Sequence, residues 1–142
     1  MPSLPLTSVL LVDDDSTANF LHQLLLQKTL RVTERVFVAE NGQQALTQLG
    51  PGAAFPPQLI LLDLNMPVMN GWEFLAAYQQ LPPMVPRPLV VLLSSSDHDL
   101  AQARAQQLPV DAFLPKPLTR EKVLTLLEQH FPTSEPHPKQ IE

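Results

Sequence analysis

Apolar residues in this chain occur in two patterns. Three blocks are apolar without interruption: Val9-Leu10-Leu11-Val12, Leu59-Ile60-Leu61-Leu62 and Leu89-Val90-Val91-Leu92-Leu93. Each has the length of a strand, and the lack of alternation predicts strands covered on both faces. The first of these strands starts at Ser8, and the second runs into Asp63. Two further segments, Arg35 to Ala39 and Asp111 to Leu114, complete a set of five strands. The Arg35 segment is short and opens on a charge, so it is expected at an edge.

Between the blocks, apolar residues recur at helical spacing. Ser16 is the expected N-cap of a helix reaching about Thr29, with Phe20, Leu21, Leu24 and Leu25 on its core face. Asn41-Gly42 marks a turn before a short helix from Gln43 to Leu49. Further helices are expected over Trp72 to Leu81 and Asp97 to Leu108. Thr119 should cap a last one, with Val123, Leu124, Leu127 and Phe131 facing inward. Proline is abundant, at 16 of 142 residues and roughly twice the usual share, and every one falls in a predicted connection or tail. Five strands alternating with five helices predict right-handed βαβ units and a parallel sheet. The simplest arrangement is an α/β doubly wound (βα)5, flavodoxin-like fold of strand order 2-1-3-4-5, with helices on both faces. Residues 8–131 form the expected domain, and residues 1–7 and 132–142 are expected to be flexible tails.

Composition then removes several function classes. The chain has no cysteine, which excludes disulfides, thiolate metal sites and cysteine nucleophiles. Net charge is −5 and no two Lys or Arg residues are adjacent, so a nucleic-acid partner is not expected. No apolar run is long enough to span a membrane, and the early apolar block is too short for a signal peptide. A cytoplasmic location without membrane contact is therefore expected.

In a doubly wound sheet the ligand crevice lies beyond the carboxyl ends of the strands where their order reverses, here strands one and three. Asp13, Asp14 and Asp15 leave strand one, and Asp63 leaves strand three. Ser94 follows strand four and Lys116 follows strand five. Clustered carboxylates repel unless a cation lies between them, and oxygen donors favour Mg²⁺ over Zn²⁺. A hydroxyl and an ammonium opposite the cation suit the remaining oxygens of a phosphoryl group. Asp15 is expected to be a solvated first-turn acid that complements the helix dipole. His22, His98, His130 and His137 lack ligand spacing and are expected at the surface, with His98 nearest the crevice.

These residues stand in four motifs: Val12-Asp13-Asp14, Leu62-Asp63-Leu64-Asn65-Met66-Pro67-Val68-Met69-Asn70-Gly71, Leu93-Ser94 and Phe113-Leu114-Pro115-Lys116-Pro117. With them in this order, the chain resembles the receiver domain of bacterial two-component response regulators from about Ser8 to Phe131. The resemblance implies that Asp63 is the phosphoacceptor. It implies a Mg²⁺ (or Mn²⁺) ion on Asp14, Asp63 and the backbone carbonyl of Asn65, with Asp13 helping to position it. It further implies phosphoryl contacts from Lys116 and Ser94, a switch formed by Ser94 and Phe113, and a cis peptide at Lys116-Pro117. The implied partners are a sensor histidine kinase or histidine phosphotransfer protein, and a downstream target on the face of helix four, strand five and helix five. Only 11 residues follow Phe131, so a single-domain regulator is expected. Family members more often carry Thr at the Ser94 position and commonly Tyr at that of Phe113; hydroxyl and ring are retained here.

Two other functions are open on the sequence. A phosphorylation-independent pseudo-receiver would normally lack the acceptor or metal acids, which this chain keeps. Asp13-Asp14-Asp15-Ser16-Thr17 also fits the opening Asp-x-Asp-x-Thr of haloacid-dehalogenase-type phosphatases, with Asp13 and Asp15 in the working positions. That family needs an acidic pair after its lysine. Beyond Lys116 there are only Glu121, Glu128, Glu135 and Glu142, and the Asp63 to Gly71 motif would go unexplained.

Overall fold

A computed structural model describes residues 6–31, 33–50, 56–84, 87–96 and 98–131. Five strands, β1 (Val9–Val12), β2 (Val36–Ala39), β3 (Leu59–Asp63), β4 (Leu89–Ser94) and β5 (Ala112–Pro115), pair in parallel in the order β2-β1-β3-β4-β5. The connecting helices are α1 (Ser16–Gln23), α2 (Gly42–Leu49), α3 (Gly71–Tyr78), α4 (His98–Ala105) and α5 (Arg120–His130). This is the doubly wound flavodoxin-like fold expected from the strand pattern, with β2 at one edge. The expected tail 132–142, most of the tail 1–7, the centre of the 50–57 loop and Asp97 at the expected start of α4 lie outside the described residues.

Alternate residues of each central strand point to opposite faces, and both faces are covered. Leu10, Val12, Ile60, Leu62, Val90 and Leu92 join one core with α2 and α3, including Ala45, Phe74 and Leu75. Val9, Leu11, Leu59, Leu61, Val91 and Leu93 join the other with Leu26 and with Val123, Leu126 and Leu127 of α5. Two apolar faces at period two give the uninterrupted runs seen in the sequence. Burying one such side chain is worth about 1.5–3 kcal/mol, so the three inner strands dominate the hydrophobic stabilisation. Side chains fix the helix starts. Asn41 caps α2 through Gln44 N–H, Asn70 and Glu73 form a reciprocal capping box on α3, and Thr119 caps α5.

Five local expectations need correction. The N-cap of α1 is Asp15, not Ser16: its Oδ1 accepts from the N–H groups of Thr17 and Ala18. The same helix does not continue as a regular α-helix to Thr29. Leu24–Thr29 is π-helical, with Leu30 N–H donating to Leu25 O. Its buried residues are Asn19 and Leu26, whereas Phe20 and Leu21 are 59% and 55% exposed and Leu24 is exposed too. Asn19 faces the sheet because its amide has a backbone partner there, and a polar residue on the inner face hides that face from apolar periodicity. In α5 the inward set is Val123, Leu126 and Leu127, at i, i+3 and i+4, while Leu124 is exposed. Finally, Pro115 is the last residue of β5 rather than the first of the connection. Lys116 N–H donates inward to Ser94 O, so Pro115, one residue earlier, turns its missing N–H to the open edge.

Candidate functional site

Strand register puts the chemical residues on one rim. Val12 pairs with Leu62 and Asp63 with Leu93, so Asp13 and Asp63 emerge level with each other. Ser94 lies one residue farther along β4 and pairs with Pro115, which brings Lys116 beside it; Lys116 N–H donates to Ser94 O at 2.8 Å. One carboxylate oxygen from each of Asp13, Asp14 and Asp63 lies within 4.8 Å of the others. Asp13 and Asp63 are buried at 5% and 6% exposure, and Asp14 is exposed. The donor set is entirely oxygen, which fits a hard divalent cation.

The surrounding backbone holds these acids in place. Asp13 Oδ1 accepts from Asp15 N–H at 2.9 Å, and Asn19 Nδ2 donates to Asp13 O at 2.8 Å. Behind Asp63, Gly71 N–H donates to Leu64 O at 2.9 Å. A Cβ at position 71 would sit 2.8 Å from Asp63 O and from Leu64 Cα, so only glycine lets α3 start this close to the acid. The loop between them includes a γ-turn: Met69 N–H donates to Pro67 O, and Val68 between them has φ +66°. This is the strained hand of the turn, and Val68 is β-branched. The Lys116–Pro117 peptide is cis, and Lys116 Nζ donates to Asp63 Oδ1 at 2.6 Å.

The charges shape one another. Burial raises the Asp13 pKa above its ordinary value; the Asp15 N–H opposes this, and the neighbouring Asp63 and Asp14 add to it. Burial works against the Lys116 charge, but its hydrogen bond to Asp63 and the attraction of Asp63, Asp13 and Asp15 prevail, and its pKa is raised. The site is thus a carboxylate cluster with one fixed ammonium.

A cleft of about 920 Å³ opens over this cluster. Asn65, Lys116 and the acids line its polar side, and Leu21, Leu24 and Leu25 line the wall formed by α1 and its π-helical extension. His22 also lines the cleft and is half-buried, which corrects the expectation that it is a surface residue. Burial, and then the Lys116 charge, lower its pKa. Asp15 lies at the rim, but its Oδ1 caps α1.

Ser94 and Phe113 do not join the acids at the cleft surface. Ser94 is buried; its hydroxyl donates to Asp99 Oδ2 in the first turn of α4, and its oxygen accepts from Ser96 N–H at 3.2 Å. Phe113 pairs with Leu92 across the sheet and packs partly against the α2/α3 core. It also lines a groove of about 260 Å³ with Thr125 and Leu126 of α5. Sequence reasoning missed Asp99 and His22. An acid in a first turn and a histidine in a helix are both ordinary residues until the fold shows what they face.

Residues 9–128 match the family model described as "Response regulator receiver domain". The DNA-binding transcriptional regulator NtrC of Salmonella typhimurium is 34% identical over 122 residues, which cover 85% of this chain and 24% of NtrC. This chain therefore spans about a quarter of the length of that relative. The probable chemotaxis protein CheY of Rhizobium etli is 32% identical over 124 residues, covering 87% of this chain and 91% of CheY. Among solved structures, a two component response regulator from Cytophaga hutchinsonii is 35% identical and superposes with a TM-score of 0.74, covering 87% of this chain and 96% of that one. By strand order, by the acids at the sheet's carboxyl rim and by these matches, the chain belongs to the response regulator receiver domain family.

Proposed function

We propose that this domain accepts a phosphoryl group on Asp63 from the phosphohistidine of a sensor histidine kinase or histidine phosphotransfer protein. One observation carries this: Asp63 lies buried between two further carboxylates on one side and the Lys116 ammonium, 2.6 Å away, on the other. An oxygen of Asp63 attacks phosphorus, the bond from phosphorus to the imidazole nitrogen breaks, and the imidazole leaves with its electron pair and takes a proton. The product is an acyl phosphate.

A Mg²⁺ or Mn²⁺ ion bound by Asp14, Asp63 and the Asn65 carbonyl, with Asp13 helping to position it, would neutralise charge on the transferred group. The chain's own residues do the rest. Lys116 fixes the orientation of the Asp63 carboxylate before transfer and can follow the phosphoryl oxygens afterwards. Ser94 lies on the same rim and can donate its hydroxyl to one of those oxygens. Phe113 pairs with Leu92, two residues before Ser94, and changes rotamer when Ser94 moves; the pairing supports this reading. The signal then leaves through the face of α4, β5 and α5, where the groove beside Phe113 offers a partly apolar contact to a target protein. Among the described residues no helix is long and apolar enough to cross a membrane. Membership of the receiver family supports a place in the cytoplasm.

The test is incubation of the protein with a small-molecule phosphodonor and Mg²⁺, followed by intact mass. The wild type should gain one phosphoryl group and Asp63→Asn none, because an amide lacks the nucleophilic oxygen. Equal uptake by Asp63→Asn, or no uptake by the wild type, would overturn the assignment.

A further inference from the structure

Ser94 has one hydroxyl proton, and that proton is already engaged. It is donated to Asp99 Oδ2, with Ser96 O a more distant second acceptor at 3.3 Å, while Ser96 N–H donates back to Ser94 Oγ at 3.2 Å. The donor of the hydroxyl is committed, and its direction is set by a carboxylate on α4 rather than by the acid cluster. Asp99 stands in the first turn of α4, whose start is tied to the same loop by His98 N–H donating to Ser96 Oγ and Asp99 N–H donating to Ser96 O.

We propose that Asp99 is a positioning residue that latches Ser94 in the resting orientation, so that a phosphoryl group on Asp63 must compete with a carboxylate of the protein for a single proton. The inference rests on the phosphoacceptor reading of Asp63. A phosphoryl oxygen and a carboxylate are both charged acceptors, so the exchange is close to balanced and the latch sets where the equilibrium lies. Releasing Ser94 also removes a tether from the first turn of α4. The site is thereby linked to the α4 face through one hydrogen bond.

The experiment is a double-mutant cycle in the full chain, read by amide NMR. The probe is beryllofluoride with Mg²⁺, a non-transferring mimic of the phosphoryl group. Because a hydrogen bond to a charged group is lost, Asp99→Ala should half-saturate at about tenfold lower probe concentration than wild type. Asp99→Asn, which keeps a neutral acceptor, should fall between them. In a Ser94→Ala background the same Asp99→Ala change should alter binding by less than about twofold, since the bond it removes no longer exists. Before any probe is added, the Ser96 amide resonance should already move in Asp99→Ala, because its acceptor Ser94 Oγ has been freed.

A gain of equal size in the Ser94→Ala background, no gain at all, or an unmoved Ser96 amide would each overturn the latch. If Asp99→Ala does not fold, the Asp99→Asn arm decides by the same criteria. The two readings fail differently. A wild type that takes neither a phosphoryl group on Asp63 nor the probe defeats the phosphoacceptor reading and the latch with it. A wild type that takes both, without the Ser94-dependent gain, defeats the latch alone.

Discussion

Asp13 holds a carboxyl group out of water, and burial first, then Asp63 and Asp14, raise its pKa above the ordinary 3.8. In the unfolded chain that group titrates at its ordinary value, so the folded protein retains the proton to higher pH. The stabilisation this provides is present in full below the ordinary value and is lost as pH rises through the raised one. At neutral pH the ionised Asp13 is a net cost to the metal-free fold. Asp13→Asn keeps the acceptor for Asp15 N–H and removes the charge. It should stabilise the metal-free protein by on the order of 1 kcal/mol at pH 7, and by less at pH 3. Urea unfolding in a chelator at both pH values checks this, and equal effects at the two would contradict it. Lys116 has the complementary behaviour: its raised pKa makes its contribution present below the ordinary 10.5 and lost above the raised value. Both residues were legible in the sequence because the carboxyl ends of parallel strands fix where they emerge. The direction of the Ser94 hydroxyl was not, since it depends on one contact between β4 and α4.

At the scale of the element, the strands were far more legible than the helices. An uninterrupted apolar block of four or five residues has few ways to be buried, and β1, β3 and β4 follow it closely. The first helix has more freedom: apolar residues at 20, 21, 24, 25 and 26 satisfy two different faces. Asn19 bonded to Asp13 O and the π-helical turn at Leu24–Thr29 decide between them, and neither leaves an apolar signal. Leu26→Ala should therefore cost about 2–5 kcal/mol, as for other fully buried leucines, whereas Leu21→Ala should cost less than about 1 kcal/mol. Similar losses from the two in denaturant melts would refute the assigned face. The end of α4 supplies a second check. Gln107 N–H donates to Arg104 O and Leu108 N–H to Ala103 O, which closes the helix with Gln107 at φ +57°. Glycine is the usual residue at such a position. Gln107→Gly should raise stability by about 0.5–1 kcal/mol, measured by the same melts, and a loss would argue against the left-handed cap.

Taken as a molecule, the domain has a well-packed sheet with its unfavourable features collected at one rim. Three carboxylates within 4.8 Å, a β-branched residue in a strained γ-turn and an ammonium held against a buried carboxylate all lie at the carboxyl ends of β1, β3 and β5 or in the loops that follow them. Two hydrophobic cores hold these groups where an isolated chain would let them separate. A charge cluster of this kind is relieved by a cation and changed by a group that arrives with charge of its own. The measurement that bears most directly on the account is localisation of the phosphoryl group by tandem mass spectrometry after incubation with a phosphodonor. Label is expected on Asp63 alone, formed with Mg²⁺ present and sharply reduced in Asp14→Ala or in chelator. Label on another residue, or on Asp63 at the same rate without the cation and without Asp14, would contradict it.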